Sequence, residues 1–170
     1  MNSTKQQEWN KFYLVQAVAY SSKSKDPSTK TGCVIVNEDN TPVAWGYNGL
    51  SKTMDGELED RIMNDRENKY ERVIHAEENA ILNASHSLKN ATAYITHPPC
   101  LKCSHRLSQA GITHVVSITP SDSFNSRWNK DSTLIELNSL KMTHQFYEKE
   151  DLEEVMGEVL KSFSKLEDQS

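Results

Sequence analysis

His75-Ala76-Glu77-Glu78-Asn79-Ala80-Ile81-Leu82-Asn83 and Ala91-Thr92-Ala93-Tyr94-Ile95-Thr96-His97-Pro98-Pro99-Cys100-Leu101-Lys102-Cys103 decide how this chain is built. In the first run and just past it, Ala76, Ala80, Ile81 and Ala84 recur at helical spacing, so a helix is expected from His75 to about Ser85. The second run opens on a strand, Ala91 to Thr96, which Pro98-Pro99 break. Proline suits the first turn of a helix and Gly111 is a good terminator, so a second helix is expected from Cys100 to Ala110. Each helix begins at a side chain that ligates metals, so the two helix N-termini are expected to converge on one point.

The residue types there are those of a zinc centre. The imidazole of His75 and the thiols of Cys100 and Cys103 supply three ligands and leave the fourth tetrahedral position to water, as catalytic zinc sites do. The dipole at a helix N-terminus lowers a cysteine's pKa and favours the thiolate a metal needs. Zinc lowers the pKa of a bound water to roughly 7. Glu77, two residues after His75, sits near such a metal without being required as a ligand, where a carboxylate moves protons. Taken singly, each run is ambiguous. A lone C-x-x-C also serves as a redox pair, and a lone H-x-E is compatible with a surface helix. A closed structural site would need His105 or His97 as fourth ligand, and His105 follows Cys103 by only two residues, an awkward spacing on a helix.

Outward from this centre, residues from about Glu8 to Lys23 carry an apolar helical pattern through Trp9, Phe12, Tyr13, Val15 and Val18. Lys25-Asp26-Pro27-Ser28 is a turn, and Thr31 to Asn37 and Pro42 to Tyr47 form a hairpin. Residues from Gly49 to about Tyr70 are polar and irregular, with a short helix possible over the charges from Asp60 to Lys69; a loop this long in a compact domain usually has a function. Thr113 to Ile118 is a strand, Asp131 to Leu137 a helix, Lys141 to Phe146 a short strand, and Glu150 to Leu166 a final amphipathic helix. Helices alternating with strands imply one sheet covered by helices on both faces, within a single domain spanning residues 1–170 and carrying a C-terminal helical extension from about residue 147. The net charge of −5 over 170 residues argues against a polynucleotide track but not against a single nucleotide. No apolar run is long enough to span a membrane and no leader pattern opens the chain. An odd cysteine count with thiolate ligands points to a reducing, cytoplasmic setting, and Cys33, in Gly32-Cys33-Val34-Ile35-Val36, is expected to pack in the core.

H-x-E followed by P-C-x-x-C is the signature of zinc nucleobase deaminases. With Ser24-Lys25-Asp26-Pro27-Ser28-Thr29-Lys30, Gly46-Tyr47-Asn48-Gly49 and Gln109-Ala110-Gly111-Ile112 in consistent order, residues from about Glu8 to Ile118 resemble the deoxycytidylate (dCMP) deaminases of the cytidine deaminase-like superfamily. The resemblance implies an α/β, three-layer αβα sandwich, Zn2+ held by His75, Cys100 and Cys103, Glu77 as proton shuttle, and hydrolysis of dCMP to dUMP and ammonia. It implies a homo-oligomer, from dimer to hexamer. Asn48 matches the asparagine that contacts the sugar, although Asn-Gly is also a favoured turn dipeptide. Lys25, Lys30 and Arg127 are candidates for the phosphate, with Trp128 placed to cap the base, although any single lysine or arginine is more often a solvated surface residue. Ser51 and Thr53 depart from the family's G-Y-N-G-x-P-x-G loop, which puts regulation by dCTP and dTTP in doubt, and Thr31 and Cys33 replace the usual Val and Ala on the strand beside the base.

Overall fold

Strand β1 (Gly32–Val36) is buried at every residue, which makes it the spine of the fold. The computed structural model describes residues 3–122, 125 and 130–167. Helix α1 (Ser3–Ser21) precedes the hairpin of β1 and β2 (Pro42–Tyr47), and helices α2 (Gly56–Asn64), α3 (Arg66–Arg72) and α4 (Ala76–Asn83) follow it. The chain then runs through β3 (Thr92–Ile95), α5 (Leu101–Gln109), β4 (His114–Ile118), α6 (Lys130–Ser139), β5 (Thr143–Tyr147) and α7 (Glu150–Glu167). The strands form one mixed sheet in the order β2-β1-β3-β4-β5. β1 pairs antiparallel with both β2 and β3, while β3, β4 and β5 run parallel, joined through α5 and α6.

The period-two pleat of β1 divides the core in two. Cys33 and Ile35 pack with Ala76 and Ala80 of α4, Leu107 of α5 and Leu137 of α6 on one face of the sheet. Val34 and Val36 pack with Tyr13, Leu14 and Ala17 of α1 and with Leu152 of α7 on the other. This is the expected three-layer arrangement of helices on both faces. Gly46 lets α4 lie directly on β2, because a Cβ there would come within 2.4 Å of both the Ala76 carbonyl oxygen and the Ala80 nitrogen. That contact fixes the height of α4, and with it His75, above the sheet.

Most expected elements are found within a few residues of their anticipated ends. Between Gly49 and Tyr70, where one short helix is expected over Asp60 to Lys69, there are two: Asp55 caps α2 by accepting the N–H groups of Glu57 and Leu58, and Asp65 caps α3 by accepting that of Asn68. The final helix packs through Leu152, while Met156, Val159, Leu160 and Phe163 stay exposed. No helix among the described residues is long and apolar enough to cross a membrane.

Candidate active site

Helices α4 and α5 both start at residues whose side chains are free of capping duty. His75 and Cys100 are N-caps in extended conformation without a side-chain hydrogen bond to the helix, while their carbonyls accept the first helical bonds from Asn79 and Ser104, each at 2.9 Å. Pro99 stands just before the cap of α5, not within its first turn, and its carbonyl accepts the Thr133 hydroxyl of α6. Cys103, three residues on, turns its thiol to the same side as Cys100. The start of α4 is pinned as well: Gly49 and Ile74 exchange backbone hydrogen bonds at 3.1 and 2.8 Å, which sets His75 beside Asn48.

His75 Nδ1 lies 3.6 Å from Cys100 Sγ and 3.4 Å from Cys103 Sγ, and the three ligand atoms lie within 4.8 Å of one another. A tetrahedral zinc with its usual bond lengths separates nitrogen and sulfur ligands by about 3.6 Å, so the donor set fits zinc in kind and in spacing. Of the two thiols Cys100 ionises first: the Cys103 S–H, followed by the His75 ring, holds it down to about 4 against the effect of burial. Cys103 is driven up, because it donates to Cys100 and is buried. A bound divalent cation overrides this difference and deprotonates both. His105 takes no part, since its ring bonds Glu136 at 2.6 Å on the surface.

Glu77 is buried beside the ligands, and desolvation raises its carboxyl above the ordinary carboxylate range against the lowering charge of His75. It shares a cavity with His75, Cys100, Asn48 and Thr31, and at the far end with Asp26 and Lys69. His97 also lines this cavity. The Asn48 amide is engaged at both ends: Oδ1 accepts the Thr31 N–H at 2.7 Å, and Nδ2 donates to Thr29 O at 2.9 Å and Asp26 Oδ2 at 3.4 Å. One lone pair of Oδ1 remains for a ligand.

Lys25 is not brought to this cavity. It pairs with Glu59 and Asp60 and lines a neighbouring one with Lys52 and Trp45. Lys30 is exposed, and Arg127 and Trp128 lie outside the described residues. Lys69 was not singled out from the sequence, yet it is a cation on the cavity wall, 4% exposed, paired with Asp26 at 2.9 Å. It sits in a run of charged residues from Asp55 to Arg72, where nothing in the local pattern distinguishes it from its solvated neighbours.

Comparison with known proteins bears on this geometry. The model of the family described as "Cytidine and deoxycytidylate deaminase zinc-binding region" matches residues 7–119. An uncharacterized deaminase of Aliivibrio fischeri is 37% identical over 123 residues, 72% of this chain and 81% of that protein. A probable deoxycytidylate deaminase of Caenorhabditis elegans is 39% identical, over 69% of this chain and 61% of that one, and the deoxycytidylate deaminase of Mus musculus 36% identical over 64% of each. The chain thus spans less than two thirds of the length of these last two relatives. Among solved structures, the dCMP deaminase of the cyanophage S-TIM5 in complex with dCMP and dUMP superposes with a TM-score of 0.65 at 25% identity, over 82% of this chain and 97% of that one. Acinetobacter baumannii RibD shares the fold, with a TM-score of 0.60 at 21% identity over 83% of this chain and 36% of that one.

Proposed function

The chain belongs to the cytidine and deoxycytidylate deaminase zinc-binding family, and from that premise we propose that it hydrolyses dCMP to dUMP and ammonia. The observation that carries the reading is the placement of Glu77, a buried carboxyl with raised pKa that shares a cavity with His75 and Cys100, two of the three grouped ligands. His75, Cys100 and Cys103 would hold Zn2+, which would supply Lewis acidity at this site. Glu77 carries the protons. It accepts one from the attacking water and passes it to N3 of the cytosine ring, then takes the second from the new hydroxyl on C4 and gives it to the departing amino group. A carboxyl held above its usual range gives and takes protons more evenly near neutral pH. Water adds at C4 and the C4–N bond breaks, so one water is consumed and one ammonia released.

Asn48 orients the substrate. With its amide fixed by Thr31 and Thr29, its remaining lone pair accepts a hydroxyl of the deoxyribose. Arg127 remains a phosphate candidate by resemblance. By the same resemblance the enzyme works as a homo-oligomer, and its odd cysteine count with thiolate ligands supports a reducing, cytoplasmic setting.

The test is ammonia release from zinc-loaded protein on dCMP, deoxycytidine, dCTP and CMP, with and without dCTP or dTTP as effectors. Turnover confined to dCMP is the expected result. Turnover of deoxycytidine in preference to dCMP, or of none of the four with one zinc per chain bound, overturns the reading.

A further inference from the structure

The cavity that holds Glu77 has two chemically distinct ends. One carries the His75 imidazole, the Cys100 thiol and the Glu77 carboxyl; the other carries Lys69 with the hydroxyl-bearing Ser28 and Thr29. Among the described residues, Lys69 is the only lysine or arginine on the cavity wall. Its side chain is 4% exposed and that of Asp26 7%.

A buried ion pair is weak evidence of stabilisation, because desolvating both charges offsets much of their attraction. Nor does Asp26 depend on Lys69. Asp26 Oδ1 accepts the backbone N–H groups of Ser28 at 2.8 Å and Thr29 at 3.2 Å, and Oδ2 accepts Asn48 Nδ2. These neutral donors hold the carboxylate in its turn. The ammonium has three N–H donors, of which one goes to Asp26 and one to the Ser28 hydroxyl at 3.3 Å. The third has no hydrogen-bond partner among the described residues. The Ser28 hydroxyl, accepting from Lys69, keeps its own O–H to donate.

We propose that Lys69 reads the 5′-phosphate of the substrate and thereby makes this site choose a nucleoside monophosphate over the free nucleoside. The inference rests on the deaminase reading above and adds to it the residue that sets substrate choice. With the base at the metal end and the sugar at Asn48, the phosphate reaches the Lys69 end. There the free N–H of Lys69 and the hydroxyls of Ser28 and Thr29 donate to its oxygens. Asp26 holds the ammonium in place before the substrate arrives.

The experiment compares wild type with Lys69→Met, Lys69→Arg and the double variant Asp26→Asn/Lys69→Met, which removes both buried charges and stays testable should the single variant fail to fold. Kinetics on dCMP and deoxycytidine are measured beside zinc content, with calorimetric binding of both compounds as a readout independent of turnover. A lost charge-assisted hydrogen bond lowers the preference for dCMP over deoxycytidine by roughly 10- to 100-fold, with the larger part in KM. Lys69→Arg keeps part of that preference. If both substrates lose the same factor in the Met variants, Lys69 only holds the fold and the proposal is overturned, while the deaminase reading stands. If the wild type turns over neither compound, the deaminase reading fails, and the ratio of binding constants still decides the role of Lys69.

Discussion

Gly46→Ala tests whether the close approach of β2 and α4 sets the geometry of the metal ligands. The added Cβ would sit 2.4 Å from both the Ala76 carbonyl oxygen and the Ala80 nitrogen, about 0.6 Å inside the 3.0 Å that such contacts keep. Both are backbone atoms of α4, so no side chain can swing aside. Nor can strand and helix part freely, because Asn79 Nδ2 donates to Tyr47 O at 2.8 Å and Asn83 Nδ2 to Trp45 O at 2.9 Å. If α4 yields, His75 and Glu77 move; if β2 yields, as an edge strand can, Asn48 moves. Zinc–ligand distances tolerate roughly 0.2 Å, and a misplacement of about 1 Å near reacting atoms can cost about 100-fold in rate. Overpacking costs about 1–3 kcal/mol in stability. The expected variant folds with a lower urea midpoint, binds zinc more weakly and turns over dCMP about 10- to 100-fold more slowly. Gly56→Ala is the control, since a Cβ there meets nothing within 4 Å. The assays are zinc per chain after exchange against a weak chelator, urea unfolding, and ammonia release. A Gly46→Ala protein with wild-type zinc affinity and turnover within about two-fold would refute the reasoning.

Glu77→Gln keeps the shape of the buried site and its zinc, and loses about 100- to 10,000-fold in kcat; near-wild-type turnover in a variant with one zinc per chain would remove Glu77 from the chemistry. Cys100→Ala loses stoichiometric zinc, read by metal analysis, and activity falls with it; retained zinc and activity would remove Cys100 from the ligand set. The Tyr94 phenol is held well above its ordinary value of 10, first by burial and then by Tyr13 and Tyr147, and it donates to Asn10 Oδ1 at 2.9 Å. Its pKa is higher folded than unfolded, so its contribution to stability is whole below about pH 10 and is lost as pH rises through the folded value. Urea unfolding from about pH 8 to pH 11.5 is expected to show a steeper alkaline loss in wild type than in Tyr94→Phe, and parallel curves would count against this linkage.

The metal end of the site was legible because its residues are placed by local rules. A histidine and a cysteine that begin helices, and a second cysteine one turn on, converge once β3 and its helices assemble, and all of that is written in short-range spacing. Gly46 was visible as part of Gly-Tyr-Asn-Gly, but its reason, the backbone of α4 lying against it, is a tertiary contact. Between Gly49 and Tyr70 the charges from Asp60 to Lys69 point to one short helix where there are two, α2 and α3; the capping residues Asp55 and Asp65 are the signal that marks both starts. The stripe on α7 is legible as a helical period, but periodicity reports an apolar face without saying what packs on it.

The far end was not legible, for a reason that bears on how this site changes. Asp26 and Lys69 are 43 residues apart, and their pairing depends on α3 folding back over the turn before β1. In sequence, Lys69 is one charge among many; burial alone sets it apart. Proton transfer is thus assigned to residues fixed by helix N-termini, and substrate choice to a residue delivered by the segment between the hairpin and α4. Changes in that segment leave the helix caps that hold His75 and Cys100 in place, yet they alter what lies opposite Ser28 and Thr29. Substitution at Lys69 is therefore expected to act on which nucleotide or nucleoside is taken, and substitution at Glu77 on how fast any of them reacts. A Lys69→Met protein that lost kcat alone, equally on dCMP and deoxycytidine, would show that the two ends are not separable in this way.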